Sequence, residues 1–409
     1  MDVMSLMKSN LALFHALIFG ELLYTRVKRG VARATPLEVE IGARAVQHIS
    51  REIGDPTRAV TDETVCAVVI LGYSGRVAAP RPRPEYPRQS SLRKLQSLDV
   101  YCKMEIVMHH VQGLVQMVEV MGGVQKLKTP GMAQLLSFCG IKGACRFLQK
   151  PAFPFLAHSD SYLTDGRLSV SAQEHAWARR TLGRLGQGFG DVWGQPTGAA
   201  TAELCEVLRH ICDFTVVVEN HTEGRWIPRT FTVIIDQRNF VQHRLMSLRT
   251  AQELGAAGLA VEEPLYECCR LAMIVYSFLV VFPLPPEAGP FEALVASLRA
   301  ELSRATAVAR THPPAPSRWP LLLWIITMGA IAAIGLPERP WFAVQARTAA
   351  ARMAMGDWID MRDVLQSFLW LSSTSDPDGR DLWAEMAAGS VPSGGPDASD
   401  SMGPMFDAP

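Results

Sequence analysis

The chain has 409 residues, 48% of them hydrophobic and 20% charged, which is enough apolar material for one large buried core or two intimate ones. Its 40 basic and 40 acidic residues cancel, which excludes a whole-surface electrostatic grip on nucleic acid and leaves at most a local patch. Eight cysteines stand without a C-x-x-C pair, most of them within apolar helical patterns, and read as buried free thiols.

In chain order, Lys8 precedes an apolar stretch, Leu11 to Phe19, that faintly resembles a signal segment. His15 interrupts it, Glu21 follows it, and no small-x-small cleavage pattern is present. An amphipathic first helix fits better, capped by Ser9 or Asn10 and running to about Arg29. Thr35-Pro36 opens a second helix, Leu37 to about Ile53, which Asp55-Pro56 breaks. Thr61 or Asp62 caps a third, Glu63 to Leu71. Residues 1–75 thus form an N-terminal helical group. Residues 76–91 contain four prolines and four arginines and read as a linker, either an exposed loop or an extended docking segment.

Helix resumes from Leu92 to Met121 and stops at Gly122-Gly123. His109 and His110 on it are adjacent, so they point about 100° apart and do not chelate one metal together. Thr129-Pro130 opens a helix from Met132 to Phe138, followed by a turn and a helix from Ile141 to Leu148. Residues 157–171 are polar and read as loop, and Trp177 to Leu185 as helix. The glycine series from Gly183 to Gly190 lacks the register, preceding strand and following Lys-Ser/Thr of a phosphate cradle, and reads as a flexible loop. Thr201 caps a long helix, Ala202 to about Asn220. Arg229 to Thr250 is mostly helix, with an unusually polar face carrying Asp236, Arg238, Gln242, His243 and Arg244. Helix-to-helix hydrogen bonding is the plain reading of that face, and a ligand pocket formed by Asp236, Arg238 and His243 the sharper one. Further helices follow at Leu265 to Phe282, Phe291 to Ala309, Trp341 to Met355 and Trp358 to Leu371. Residues 389–409, rich in Gly, Ser, Pro and Asp, read as a disordered acidic tail.

Trp319 to Leu336 carries no charge, and Thr327 is its only polar side chain. As one helix it is about 27 Å long, close to the roughly 30 Å of a bilayer core. Arg318 on one flank and Glu338-Arg339 on the other give no sidedness, so a helix buried on all sides fits better than a membrane span. The fold class expected is all-α, many helices packed around this buried apolar helix.

Chemistry is scarce. The chain holds no H-E-x-x-H, no G-x-S-x-G, no P-loop and no dinucleotide fingerprint. No catalytic residue, metal ligand or cofactor is assigned, and the expectation is not an enzyme.

Several stretches, in order, resemble the fungal-specific transcription factor domain, the helical regulatory region of fungal zinc-binuclear-cluster regulators. They are His48-Ile-Ser-Arg-Glu-Ile-Gly-Asp55, Leu95-Gln-Ser-Leu-Asp-Val-Tyr101, His110-Val-Gln-Gly-Leu114 with Val120-Met-Gly-Gly123, and Cys212-Asp-Phe-Thr-Val216. Asp236-Gln-Arg-Asn239 with Gln242-His-Arg-Leu245, Pro283-Leu-Pro285, Gly335-Leu-Pro-Glu-Arg-Pro-Trp341, and Phe368-Leu-Trp370 with Leu382-Trp383 complete the series. The resemblance covers about residues 40–385 and places the family-like domain at 92–388, continuous with 37–75. It implies an all-α regulatory domain in the nucleus that works through protein partners, a second copy of itself among them. The family reads DNA with a six-cysteine, two-zinc module, and no cysteine precedes Cys66 here, so neither sequence-specific DNA binding nor zinc carries over. Met121 stands where the family pattern has arginine, and Ser372 to Asp381 lacks an expected cysteine. The expectation is a regulatory module acting without its own DNA-reading part. A single-span membrane protein and a helical small-molecule receptor or enzyme are the alternatives.

Overall fold

Asn10 accepts a hydrogen bond from Leu13 N at 2.9 Å, the cap expected, and starts α1, Leu11–Lys28. Thr35 does the same for Glu38 N and, with Pro36 in the first turn, starts α2, Pro36–Gly54. The two helices run antiparallel: Arg26 pairs with Glu38 at 2.9 Å, and at the other end His15 stacks on His48 with ring centroids 4.9 Å apart. The computed structural model describes residues 10–73, 86–194, 198–225, 230–259, 265–285, 289–309 and 316–388. Among these, 17 α-helices and one two-strand hairpin are formed, and the architecture is all-α. Residues 76–85 of the expected linker and the expected tail, 389–409, lie outside the described residues.

α3, Asp62–Tyr73, packs on α1 and on α5, Met108–Met121. With α6, Met132–Phe147, these build the smaller of two main cores. The expected continuous helix from Leu92 to Met121 is broken. A 3-10 stretch, Ser91–Ser97, and the one-turn α4, Leu98–Tyr101, precede α5. Gln96 and Ser97 adopt left-handed φ of 58° and 53°, a reversal that apolar spacing does not reveal. Conversely, α6 runs unbroken through the turn expected near Gly140. There a Cβ would meet the Phe153 backbone N at 3.2 Å, so that glycine serves close packing within a continuous helix.

The hairpin is β1, Leu163–Thr164, and β2, Arg167–Leu168, paired antiparallel with Leu163 opposite Leu168. It interrupts a segment expected to be loop throughout. α7, Ala172–Leu182, follows with a capping box from Ser171 and Glu174. The glycine series, expected to be flexible, is packed instead. α8, Gln187–Trp193, occupies its second half, and Gly188 N donates to Ser367 O at 2.7 Å. A Cβ at Gly188 would lie 2.8 Å from Phe368, so the glycines admit a close backbone approach. α9, Ala199–Thr222, starts two residues before the expected Thr201 cap, with Gly198 as its N-cap. α10, Phe231–Ser247, α11, Ala251–Ala256, and α12, Tyr266–Leu279, follow.

α13, Phe291–Ala309, leads to the apolar stretch, which forms α14, Trp319–Ala332. α14 ends earlier than Leu336 because Gly335 turns left-handed, at φ +72°, and Pro337 offers no N–H. Its 14 residues reach about 21 Å, and no helix among the described residues is long and apolar enough to cross a membrane. Every residue from Leu321 to Ala333 is buried. Around it pack α8, α12, α13, α15, Arg339–Arg352, α16, Trp358–Leu365, and α17, Ser372–Ala388. The Trp324 indole N–H donates to Leu369 O at 2.9 Å, and Phe189 and Phe368 close on its ring. Arg339 Nη1 donates to Ala330 O at 2.6 Å, a last-turn carbonyl of α14 that also accepts from Ala333 N at 3.1 Å, while its Nη2 pairs with Glu385 at 2.8 Å.

α17 is not legible in the polar run Ser372-Ser-Thr-Ser-Asp-Pro. It forms because Asp376 accepts from the Trp370 indole at 2.7 Å and pairs with Arg362 at 2.9 Å. The far half of the expected linker is docked on α12: Ser90 N donates to Leu279 O at 2.9 Å and Ser90 Oγ to Val280 O at 2.7 Å. Arg88 N donates to Asp378 Oδ2 at 2.9 Å.

A Cβ at Gly329 would lie 2.2 Å from the Phe342 ring. Gly329→Ala is expected to cost about 1–3 kcal/mol by overpacking, read as a lowered urea midpoint, with partial recovery in a Gly329→Ala, Phe342→Leu double variant.

Candidate functional site

The polar face of α10 is almost wholly buried, and most of its hydrogen bonds go to loops. Asp236, 1% exposed, accepts from the backbone N of His158 and Ser159, each at 2.9 Å to Oδ2, and lies 2.8 Å from His158 Nδ1. Gln237 donates to Ser169 O at 3.0 Å. Arg238 is fully buried without a carboxylate partner among its hydrogen bonds. It donates to Leu95 O at 2.8 Å, to Gln96 Oε1 at 2.6 Å and to Asn239 Oδ1 at 2.9 Å, and lies 4.9 Å from the Phe282 ring centroid. Burial pulls its pKa down to about 10. His243 Nε2 meets Phe153 O at 3.1 Å, and burial lowers its pKa.

Asp236, Arg238 and His243 therefore share a helix and engage three different segments. Asp236 holds the loop before the hairpin, Arg238 holds the left-handed turn at Gln96, and His243 holds the loop at Phe153. The helix gathers backbone carbonyls and amides that would otherwise be buried unpaired.

An open cleft of about 730 Å³ lies beside the N-terminal end of α10, where Val233 lines it, and none of those three residues does. Its walls are the hairpin, the start of α7 and the middle of α9. Asp213 on α9 is 8% exposed, and His175 on α7 faces it with Nε2 3.9 Å from Oδ1, beyond hydrogen-bond reach. Burial raises the Asp213 carboxyl above its usual range, against the pull of His175, Arg167 and Arg209. Ser171, also at the cleft, is no nucleophile. Its hydroxyl donates to Glu174 Oε2 at 3.0 Å and accepts from Glu174 N at 3.2 Å, both within the helix cap. Nothing in sequence spacing links His175, on α7, to Asp213, on α9, and the segment feeding them read as featureless loop.

The eight cysteines are free, and six are buried. Burial pushes the Cys66, Cys139 and Cys212 thiols up to about 12, which removes the thiolate that nucleophilic chemistry needs. Among the described residues, no three His, Cys, Asp or Glu side chains are gathered as metal ligands.

The outer face of α2 is of a different kind. Val39 is 61% exposed, and Val46 and Ile53 are each 48% exposed, with Ala43 and Ser50 exposed between them. The spacing of four, three, four and three residues is that of a heptad seam.

Comparison with family models, with curated protein sequences and with solved structures finds no match to this chain.

Two outcomes follow from this geometry. Asp236→Asn is expected to lower stability by about 2–3 kcal/mol in chemical unfolding, since a buried carboxylate that accepts from two backbone N–H groups is replaced by a neutral amide. His210, on α9, is buried with both ring nitrogens lacking a hydrogen bond, and burial lowers its pKa to about 4. Glu206, 3.8 Å away, is too distant to hydrogen-bond and is itself held by Arg244 at 3.2 Å, while Arg209 adds repulsion. The unfolded chain therefore binds a proton between about pH 6.5 and pH 4 that the native chain refuses. Stability is full above that window and falls as pH drops through it, and His210→Phe flattens the fall in urea titrations at stepped pH.

Proposed function

We propose that the chain is a helical regulatory protein of the transcription-regulator kind, which acts by docking onto protein partners and not by catalysis. The observation that carries this reading is the seam on α2. A helix packed on one side by α1 leaves an exposed row of β-branched and small residues at coiled-coil spacing.

A second copy of the same helix is the occupant that fits it best. In an antiparallel pair that sets Val46 over Ala43 of the partner, Val39 lies over the partner's Ser50, large over small. The same register brings Glu40 of each chain beside Arg51 of the other, so charge on the flanks is complementary. A nuclear setting and a role in transcription come from the resemblance over residues 40–385, which the all-α architecture suits. DNA contact by this chain, on that reading, is weak, indifferent to sequence and lost as salt rises.

The test is the molecular mass of the full chain by light scattering over a range of concentrations. The parent is expected to pass from monomer to dimer as concentration rises. Val46→Glu is expected to stay monomeric and to unfold within about 0.5 kcal/mol of the parent, because the position is exposed. Equal mass for parent and variant at every concentration overturns the docking assignment. Sequence-selective DNA binding that survives physiological salt overturns the reading of the chain as a partner-dependent module.

A further inference from the structure

The geometry points to the cleft between the hairpin and α9 as the binding site of a small zwitterion of the amino-acid class, its ammonium on Asp213 and its carboxylate on Arg167. This goes beyond the docking function and stands on the cleft alone.

The carboxylate of Asp213 is the group that asks for a ligand. It lines a cleft of about 730 Å³, its side chain is 11% exposed, and no hydrogen bond to it is formed among the described residues, with His175 Nε2 standing 3.9 Å away. A mostly buried carboxylate that no protein N–H engages turns its oxygens to the cleft, where a ligand N–H group can meet them. The other carboxylate at the cleft is already engaged: Glu174 Oε2 accepts from Ser171 N at 2.8 Å and from Ser171 Oγ at 3.0 Å. Asp213 is therefore the acceptor left for an incoming cation.

Positive charge lies at the same cleft. Arg167 projects from β2, and His175 stands on the first turns of α7. Both are near enough to pull the Asp213 carboxyl downward. A guanidinium matches a carboxylate in a planar, two-point pair. One negative group at the floor and one or two positive groups beside it complement a molecule with both charges at short separation. The polar walls, with Ser161 and Ser169, suit the same ligand and not a large apolar one.

Competing ligands fit less well. A simple anion such as phosphate meets the Asp213 carboxylate. A divalent cation finds one carboxylate and one imidazole, short of the three donors that a protein site supplies.

The experiment is calorimetric titration of the full chain with single free L-amino acids, each paired with its des-amino acid analogue and with inorganic phosphate as control. At least one amino acid is expected to bind, with its des-amino analogue at least tenfold weaker. Asp213→Asn is expected to weaken binding at least tenfold at an unchanged melting temperature, and Arg167→Gln to weaken it comparably. Arg167 is exposed, so that variant keeps the test sound if Asp213→Asn does not fold. Absence of binding by every amino acid overturns the assignment. So does equal binding of the des-amino analogue, equal binding by both variants, or phosphate binding that Asp213→Asn strengthens. None of these outcomes bears on whether the chain dimerises through α2.

Discussion

The structure depends on one constraint: a 14-residue helix with no charge and a single hydroxyl has to be removed from water on every side. Burying each of its leucines and isoleucines contributes roughly 1.5–3 kcal/mol, and no amphipathic face exists to leave any of them outside. The rest of the larger core is arranged to meet that demand. α12, α13 and α15 to α17 all pack on it, and α8 closes over Trp324 through Phe189. Two glycines make this wrapping close enough. Gly329 lets the Phe342 ring lie against the backbone of α14, and Gly188 lets α8 reach the Ser367-Phe368 backbone. Arg339 then ties the end together, since its one guanidinium meets a last-turn carbonyl of α14 and links α15 to α17.

α10 is the second organiser, and it works by polarity where α14 works by its absence. Its buried Asp236, Gln237, Arg238 and Gln242 bind carbonyls, amides and side chains from segments far apart in sequence. Such a face has high stakes, because each group is stabilising only while its partner is present. It is accordingly structural, and the cleft beside it holds Asp213, to which no hydrogen bond is formed among the described residues. The proposed ligand cleft and the proposed docking face are built from different elements: the one from the hairpin, α7 and α9, the other from α2.

Much of this was legible in the sequence where a local rule decides. Asn10, Thr35 and Thr61 announce helix starts by their side-chain oxygens, and the absence of charge from Trp319 to Leu336 announces burial. What was not legible depends on contacts between distant segments. The break at Gln96 and Ser97 is held by Arg238, 142 residues away from Gln96, and α17 forms on Trp370 and Arg362 in spite of a polar, proline-bearing sequence. The polar face of α10 reads in sequence as a helix-to-helix surface or a pocket, and in the fold it is mostly a clamp on loops. The cleft was missed because its acid and its histidine meet only once α7 packs on α9.

Native-state hydrogen exchange across the whole chain tests most directly whether α14 is the element around which the larger core is wrapped. If the account holds, the amides of α14 exchange only through global unfolding and carry the full unfolding free energy, while α1 to α3 open at lower cost. If α14 amides exchange by local opening while the N-terminal helices stay protected, the apolar helix is not the keystone and the account fails.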